Sequence, residues 1–180
     1  MTPPARCAPE TLHCATYYFA DDGAIPNHPT WPMIVYQGVF QPDAHDPAST
    51  AEQIFTANGW VSTWRNGIFA YHHYHSTAHE VLAICRGTAQ VRFGGEQGLT
   101  LDVQAGDVVV LPAGTGHKRL RASNDLLVVG AYPPNQDVDL LHGETAERPK
   151  ALENIQRVPL PLSDPVYGKI GPLLECWRRA

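Results

Sequence analysis

Between Trp60 and Tyr132 the chain breaks into short runs separated by glycine-containing turns: TWRNGIFAYHHYH, EVLAICRG, TAQVRFGG, LTLDVQAGD, VVVLPAG, KRLRAS and LLVVGAY. Runs this short and this regularly spaced leave little room for helices. They predict antiparallel strands closed into a sandwich or barrel, an all-β core. A chain of 180 residues is long enough for one well-buried core and short for two. The expectation is a single domain over 1–180 whose barrel core covers about 60–132.

The flanks are read from their punctuation. ATYYFA is a strand stopped by Asp21, Asp22 and Gly23, and MIVYQGVF is the next strand. The three prolines of IPNHPTWP keep that stretch out of any helix interior. QPDAHDPASTAEQIFTANGW carries the one convincing helix signal. Ser49 or Asp46 can cap it, Glu52 stands where a capping box needs it, and Asn58-Gly59 stops it. N-terminal strands and this helix thus occupy 15–59, and residues 1–14 are expected to be loose. Beyond Pro133 the pattern lapses, with at most a short helix near ALENIQ. The proline-rich PLPLSDPVYGKIGPLLECW reads as an extended arm, so 133–180 lies across the barrel or across a partner subunit.

Several function classes fall away on composition. Hydrophobic content of 43% and charged content of 17% describe a soluble globular protein. A net charge of -5 supplies no basic footprint for nucleic acid. No apolar run approaches a membrane span, and MTPPARCAPE has no apolar signal core, so the expected location is cytoplasmic. In that reducing compartment Cys7, Cys14, Cys85 and Cys176 read as thiols, with Cys85 buried in its strand.

The chemistry concentrates in GIFAYHHYHSTAHEVLAICRG, residues 67–87. Read as a strand, this stretch sends His73 and His75 to the same face. Glu80 follows after a polar break, and His117 is presented later by a Pro- and Gly-framed turn. Three imidazoles and one carboxylate suit a divalent transition metal, and burying them without a cation would be costly. His72 has the opposite parity and should point away. His79 competes with Glu80 for the same turn, while His13, His28, His45 and His142 fall in turns and tails where solvation is expected. Phe69 and Tyr71 share the parity of His73 and are candidate cavity residues, although ordinary core packing suits Phe69 better. The same stretch is apolar on its opposite face, which predicts cover on both sides and makes a homodimer the expected assembly.

These stretches resemble the cupin family. Gly67, His73, His75, Glu80 and Gly87 fit G-x5-H-x-H-x4-E-x6-G, and Gly106, Pro112, Gly114 and His117 fit G-x5-P-x-G-x2-H. The second motif departs at its last position, where Arg121 replaces the usual Asn. More narrowly, YYFADDGAIPN, NGW, STWRNG and YHHYHSTAHEVL resemble an uncharacterised group of single-domain bacterial cupins. The resemblance implies a jelly-roll barrel and metal ligation by His73, His75, Glu80 and His117. The implied metal is one divalent ion, Fe, Mn, Ni or Zn; the resemblance does not choose among them and supplies no substrate.

Four protein ligands on a six-coordinate ion leave two positions open, as metal catalysis requires. The leading expectation is a dioxygenase-type oxidoreductase; the alternatives are a non-catalytic metal-dependent sensor or binding protein, and a purely structural metal. Counting in twos from His117, Arg119 and Arg121 share its face if the strand runs without a bulge. Arg121 would then hold the carboxylate of a small organic acid, or else pair internally with an acid such as Asp107.

Overall fold

The computed structural model describes residues 5–6 and 14–178, so the expectations for Cys7 and His13 lie outside the described residues. In chain order the strands are β1 (Ala5–Arg6), β2 (Cys14–Tyr17), β3 (Met33–Tyr36), β4 (Val61–Asn66) and β5 (Glu80–Arg86). They continue as β6 (Thr88–Phe93), β7 (Leu99–Gln104), β8 (Val108–Leu111), β9 (His117–Ala122) and β10 (Leu127–Tyr132). All pairings are antiparallel. One sheet has the order β1-β2-β3-β8-β5-β10-β4 and the other β7-β6-β9. Helices α1 (Pro47–Ala57), α2 (Arg148–Ile155) and α3 (Pro172–Arg178) complete the chain.

The larger sheet is covered on both faces, which explains why β3, β5 and β8 are almost unbroken apolar runs. Met33, Val35, Leu82, Ile84, Val109 and Val128 face inward and meet Val91, Phe93 and Val103 of the smaller sheet. The alternate residues Ile34, Tyr36, Val81, Ala83, Cys85 and Val110 face outward, under α1 and α3. Glu80 has the parity of Leu82 and enters the interior; Cys85 has the other. The smaller sheet alternates instead, as TAQVRF of β6 does, because only one of its faces is buried.

Three local expectations are corrected. The stretch 67–75 is not a strand: β4 ends at Asn66, and the chain then crosses irregularly to the smaller sheet. The isolated bridges His73↔His117 and Tyr74↔Leu141 take the place of a ladder, since a segment changing sheets cannot keep one. The capping box does not form. The Asp46 carboxylate and Glu52 both turn to Arg65, at 2.9 and 2.7 Å. Finally, the C-terminal arm is not extended to its end. It folds back on its own barrel, and α3 buries Leu173, Leu174 and Trp177 against the outer face of the larger sheet. Apolar spacing in PLLECW suits a helix once a sheet face is there to receive it. The arm therefore needs no partner subunit to cover it.

Candidate metal centre

Three segments converge at one end of the barrel: the crossing segment brings His73 and His75, the start of β5 brings Glu80, and the start of β9 brings His117. His73 and His117 exchange backbone hydrogen bonds of 3.2 and 3.0 Å, and their rings lie 4.0 Å apart. The His75 carbonyl accepts from Gly114 N at 2.8 Å. Gly114 has φ of 89°, and a Cβ there would lie 2.7 Å from Ile155, so this turn admits only glycine without strain.

Each ring has its Nδ1 turned to a backbone carbonyl: His73 to Tyr71 at 3.4 Å, His117 to Thr115 at 3.4 Å, and His75 to Asp139. Nδ1–H donors of this kind leave the Nε2 lone pairs directed away from the backbone. Two of those atoms, on His75 and His117, lie 3.4 Å from Glu80 Oε2. Neither contact is directed as a hydrogen bond, and the buried Oε2 has no partner. Burial favours raising the Glu80 carboxyl, but the His75 and His117 imidazoles outweigh it and hold it at about 2. Burial also opposes protonation of His75, yet the adjacent carboxylate raises it. His73 and His117 are lowered by burial, His117 to about 3.

The donors fit a divalent cation in their chemistry: three imidazole nitrogens freed by their tautomer, and an orphaned carboxylate oxygen in the same chamber. In this conformation no group of three among the described residues stands ready around a single point.

The chamber has a volume of about 160 Å³, and Trp64, Asn66, Ile68, Phe69, Leu82 and Tyr132 line it with the four donors. Phe69 stands at the mouth, 43% exposed rather than in the core. Tyr71, 44% exposed, stacks on Phe69 and faces a surface depression with His72 and His142. Parity does not govern these two rings because the crossing segment is not a strand. Trp64, Leu82 and Tyr132 were missed by sequence reasoning. Leu82 alone had a signal, two residues from Glu80 on the same strand.

Arg121 is not at the site. Val91 of β6 pairs with Arg119 while its neighbour Gln90 pairs with Arg121, so Leu120 is an extra residue in β9. This bulge reverses the alternation and turns Arg121 outward, into an open depression with Gln90, Asp102 and Gln104. Asp107 accepts from the Gly38 and Gln104 amides. Two further histidines are buried, of which His28 was expected to be solvated. His79 lies opposite Glu80 in an aromatic cluster with Trp31 and Trp177, and His28 stacks on Trp31 rather than being solvated.

The Cupin domain family model matches residues 60–129. The chain belongs to the cupin family. It is similar to the uncharacterized protein YjlB of Bacillus subtilis, with 46% identity over 162 residues that cover 90% of this chain and 95% of that one. Among solved structures, acireductone dioxygenase from Bacillus anthracis, with a cadmium ion in its active center, has 15% identity and a TM-score of 0.37. That match covers 49% of this chain and 60% of the other. A mutant of Bacillus subtilis oxalate decarboxylase has 15% identity and a TM-score of 0.35, over 75% of this chain and 29% of its own. The chain therefore spans less than two thirds of either solved relative.

Proposed function

We propose that the chain is a metal-dependent enzyme whose divalent transition ion is held by His73, His75, Glu80 and His117, and that it acts as an oxidoreductase of the dioxygenase type on a small molecule. The carrying observation is the buried Glu80 Oε2, which has no hydrogen-bond partner and faces the His75 and His117 Nε2 atoms inside a chamber with an open mouth. A bound ion of this kind supplies Lewis acidity and, if iron or manganese, electron transfer. The chain's own residues hold the imidazole tautomers through backbone carbonyls, restrict water with Ile68, Phe69 and Leu82, and place the Tyr132 phenol beside the donors. Burial, and after it the Glu80 charge, raises that phenol and keeps it protonated. The small organic acid expected from Arg121 loses its support, because that side chain faces away from the chamber.

The test is metal analysis of protein purified without added metal, followed by oxygen-uptake screening. Stoichiometric iron or manganese with substrate-dependent oxygen uptake is expected. Redox-inert zinc in the natively loaded protein would sink the oxidoreductase reading, and a metal-free protein that binds none on titration would sink the centre itself.

A further inference from the structure

Among the described residues, no cationic side chain stands in the wall of the chamber beside the donors. Arg119, two residues from His117, is kept out: Asn66, Gly67, Ile68 and Phe69 line both the chamber and the outer depression where Arg119 sits. Its Nε donates to the Ile68 carbonyl at 2.9 Å, on that partition. Arg121 is turned outward by the bulge. What remains in the wall is apolar or aromatic, apart from the Asn66 amide at the mouth.

One wall of the chamber is held firmly. Trp64 pairs in register with Gly130 across β4 and β10. A Cβ on Gly130 would lie 2.1 Å from the indole ring, so glycine is what lets the ring lie across β10. Trp64 Nε1 also donates to the Tyr132 hydroxyl at 2.9 Å. The indole is thus seated from beneath and tied at its edge.

Resting on the metal reading above, we propose that the chamber selects a small bidentate oxygen ligand with a single negative charge and apolar flanks, and that Trp64 is the wall that selects it. Charge decides the first part. A divalent ion with one carboxylate and three neutral imidazoles keeps one net positive charge, which a monoanion neutralises. A dianion leaves a buried negative charge with no cation to meet it, and such burial is costly. Volume decides the size: a chamber of about 160 Å³ admits roughly five water-sized groups at about 30 Å³ each. Two open positions on a six-coordinate ion favour two oxygens from one molecule.

Cobalt(II)-loaded protein, followed by visible absorption, tests this with acetylacetonate and malonate. The two probes have equal numbers of non-hydrogen atoms and form the same chelate ring. They differ in charge and in carrying methyl groups or carboxylate oxygens at their ends. With each affinity referred to that for aqueous cobalt(II) at the same pH, acetylacetonate is expected to be favoured by at least about tenfold. Trp64→Lys, which puts a cation in that wall, is expected to lose most of that preference at unchanged cobalt stoichiometry, and Trp64→Phe to keep most of it. Equal binding, or a preference for malonate, overturns the charge assignment. An unchanged ratio in Trp64→Lys overturns the role of Trp64. Should Trp64→Lys not fold, a Trp64→Phe protein whose preference has vanished overturns an aromatic wall as the selector. Native protein that takes up no cobalt overturns the metal reading and this inference with it, whereas normal cobalt uptake with a malonate preference overturns this inference alone.

Discussion

His79 and Glu80 are consecutive, both are buried, and they face opposite sides of the larger sheet. On the His79 side both ring nitrogens are answered. His79 Nδ1 accepts from Ala113 N at 2.9 Å, and Nε2 donates to the Pro159 carbonyl at 3.2 Å. The ring packs 4.8 Å from Trp177, which stacks on Trp31, which stacks on His28. Nearby, Asp164 accepts from the Tyr36 hydroxyl at 2.5 Å and from the Val166, Tyr167 and Leu173 amides. On the Glu80 side the polar atoms crowd one another, and one carboxylate oxygen is left over. Buried histidines are therefore no sign of a ligand site in themselves. A satisfied histidine staples the fold, and an unsatisfied donor set keeps its capacity for something else.

The sharpest way to break this comparison is to empty the Glu80 side. The double change His75→Ala, His117→Ala is expected to weaken metal binding by at least about a thousandfold, roughly 4 kcal/mol, as read by metal titration. The apo fold should lose only about 1–2 kcal/mol in urea, from the His75 bond to the Asp139 carbonyl and the imidazoles that hold the Glu80 carboxyl low. Undiminished binding would show that the donors are misassigned.

His79→Ala should do the reverse. It strands the Ala113 N–H and the Pro159 carbonyl and opens a gap beneath Trp177, at an expected cost of about 3 kcal/mol in urea unfolding. Metal stoichiometry in the folded fraction should be unchanged. A loss below about 1 kcal/mol would mean that the aromatic cluster is not a staple.

A pH series sharpens the contrast further. Burial lowers His28 to about 4, so the folded state disfavours its protonation while the unfolded chain takes the proton near pH 6.5. Its contribution is complete above that value and is lost as pH falls toward about 4. His28→Gln should remove about 1–2 kcal/mol of the stability difference between about pH 8 and about pH 5. Identical pH profiles for the two proteins would refute this.

The smallest effect belongs to Arg121→Ala, which should leave metal content unchanged and shift stability by less than about 0.5 kcal/mol. A clear drop in metal or probe binding would place Arg121 in the chamber despite the bulge.

What the sequence by itself determined is the strand rhythm from Trp60 to Tyr132 and the convergence of His73, His75, Glu80 and His117. Both rest on short-range physics: the two-residue repeat, glycine turns, and a fixed turn ahead of β9. Even where the strand reading of 67–75 failed, His73 and His75 reached the chamber, because their backbone bridges to β9 and to Gly114 hold them there. Only the tertiary structure decided which way Arg121 faces, that Trp64 rests on Gly130, and that the proline-rich arm ends in a helix on its own barrel. Each of these depends on a partner far along the chain. A bulge is defined by two strands together, a seat for an indole by the residue opposite, and a short helix's stability by the face that receives it.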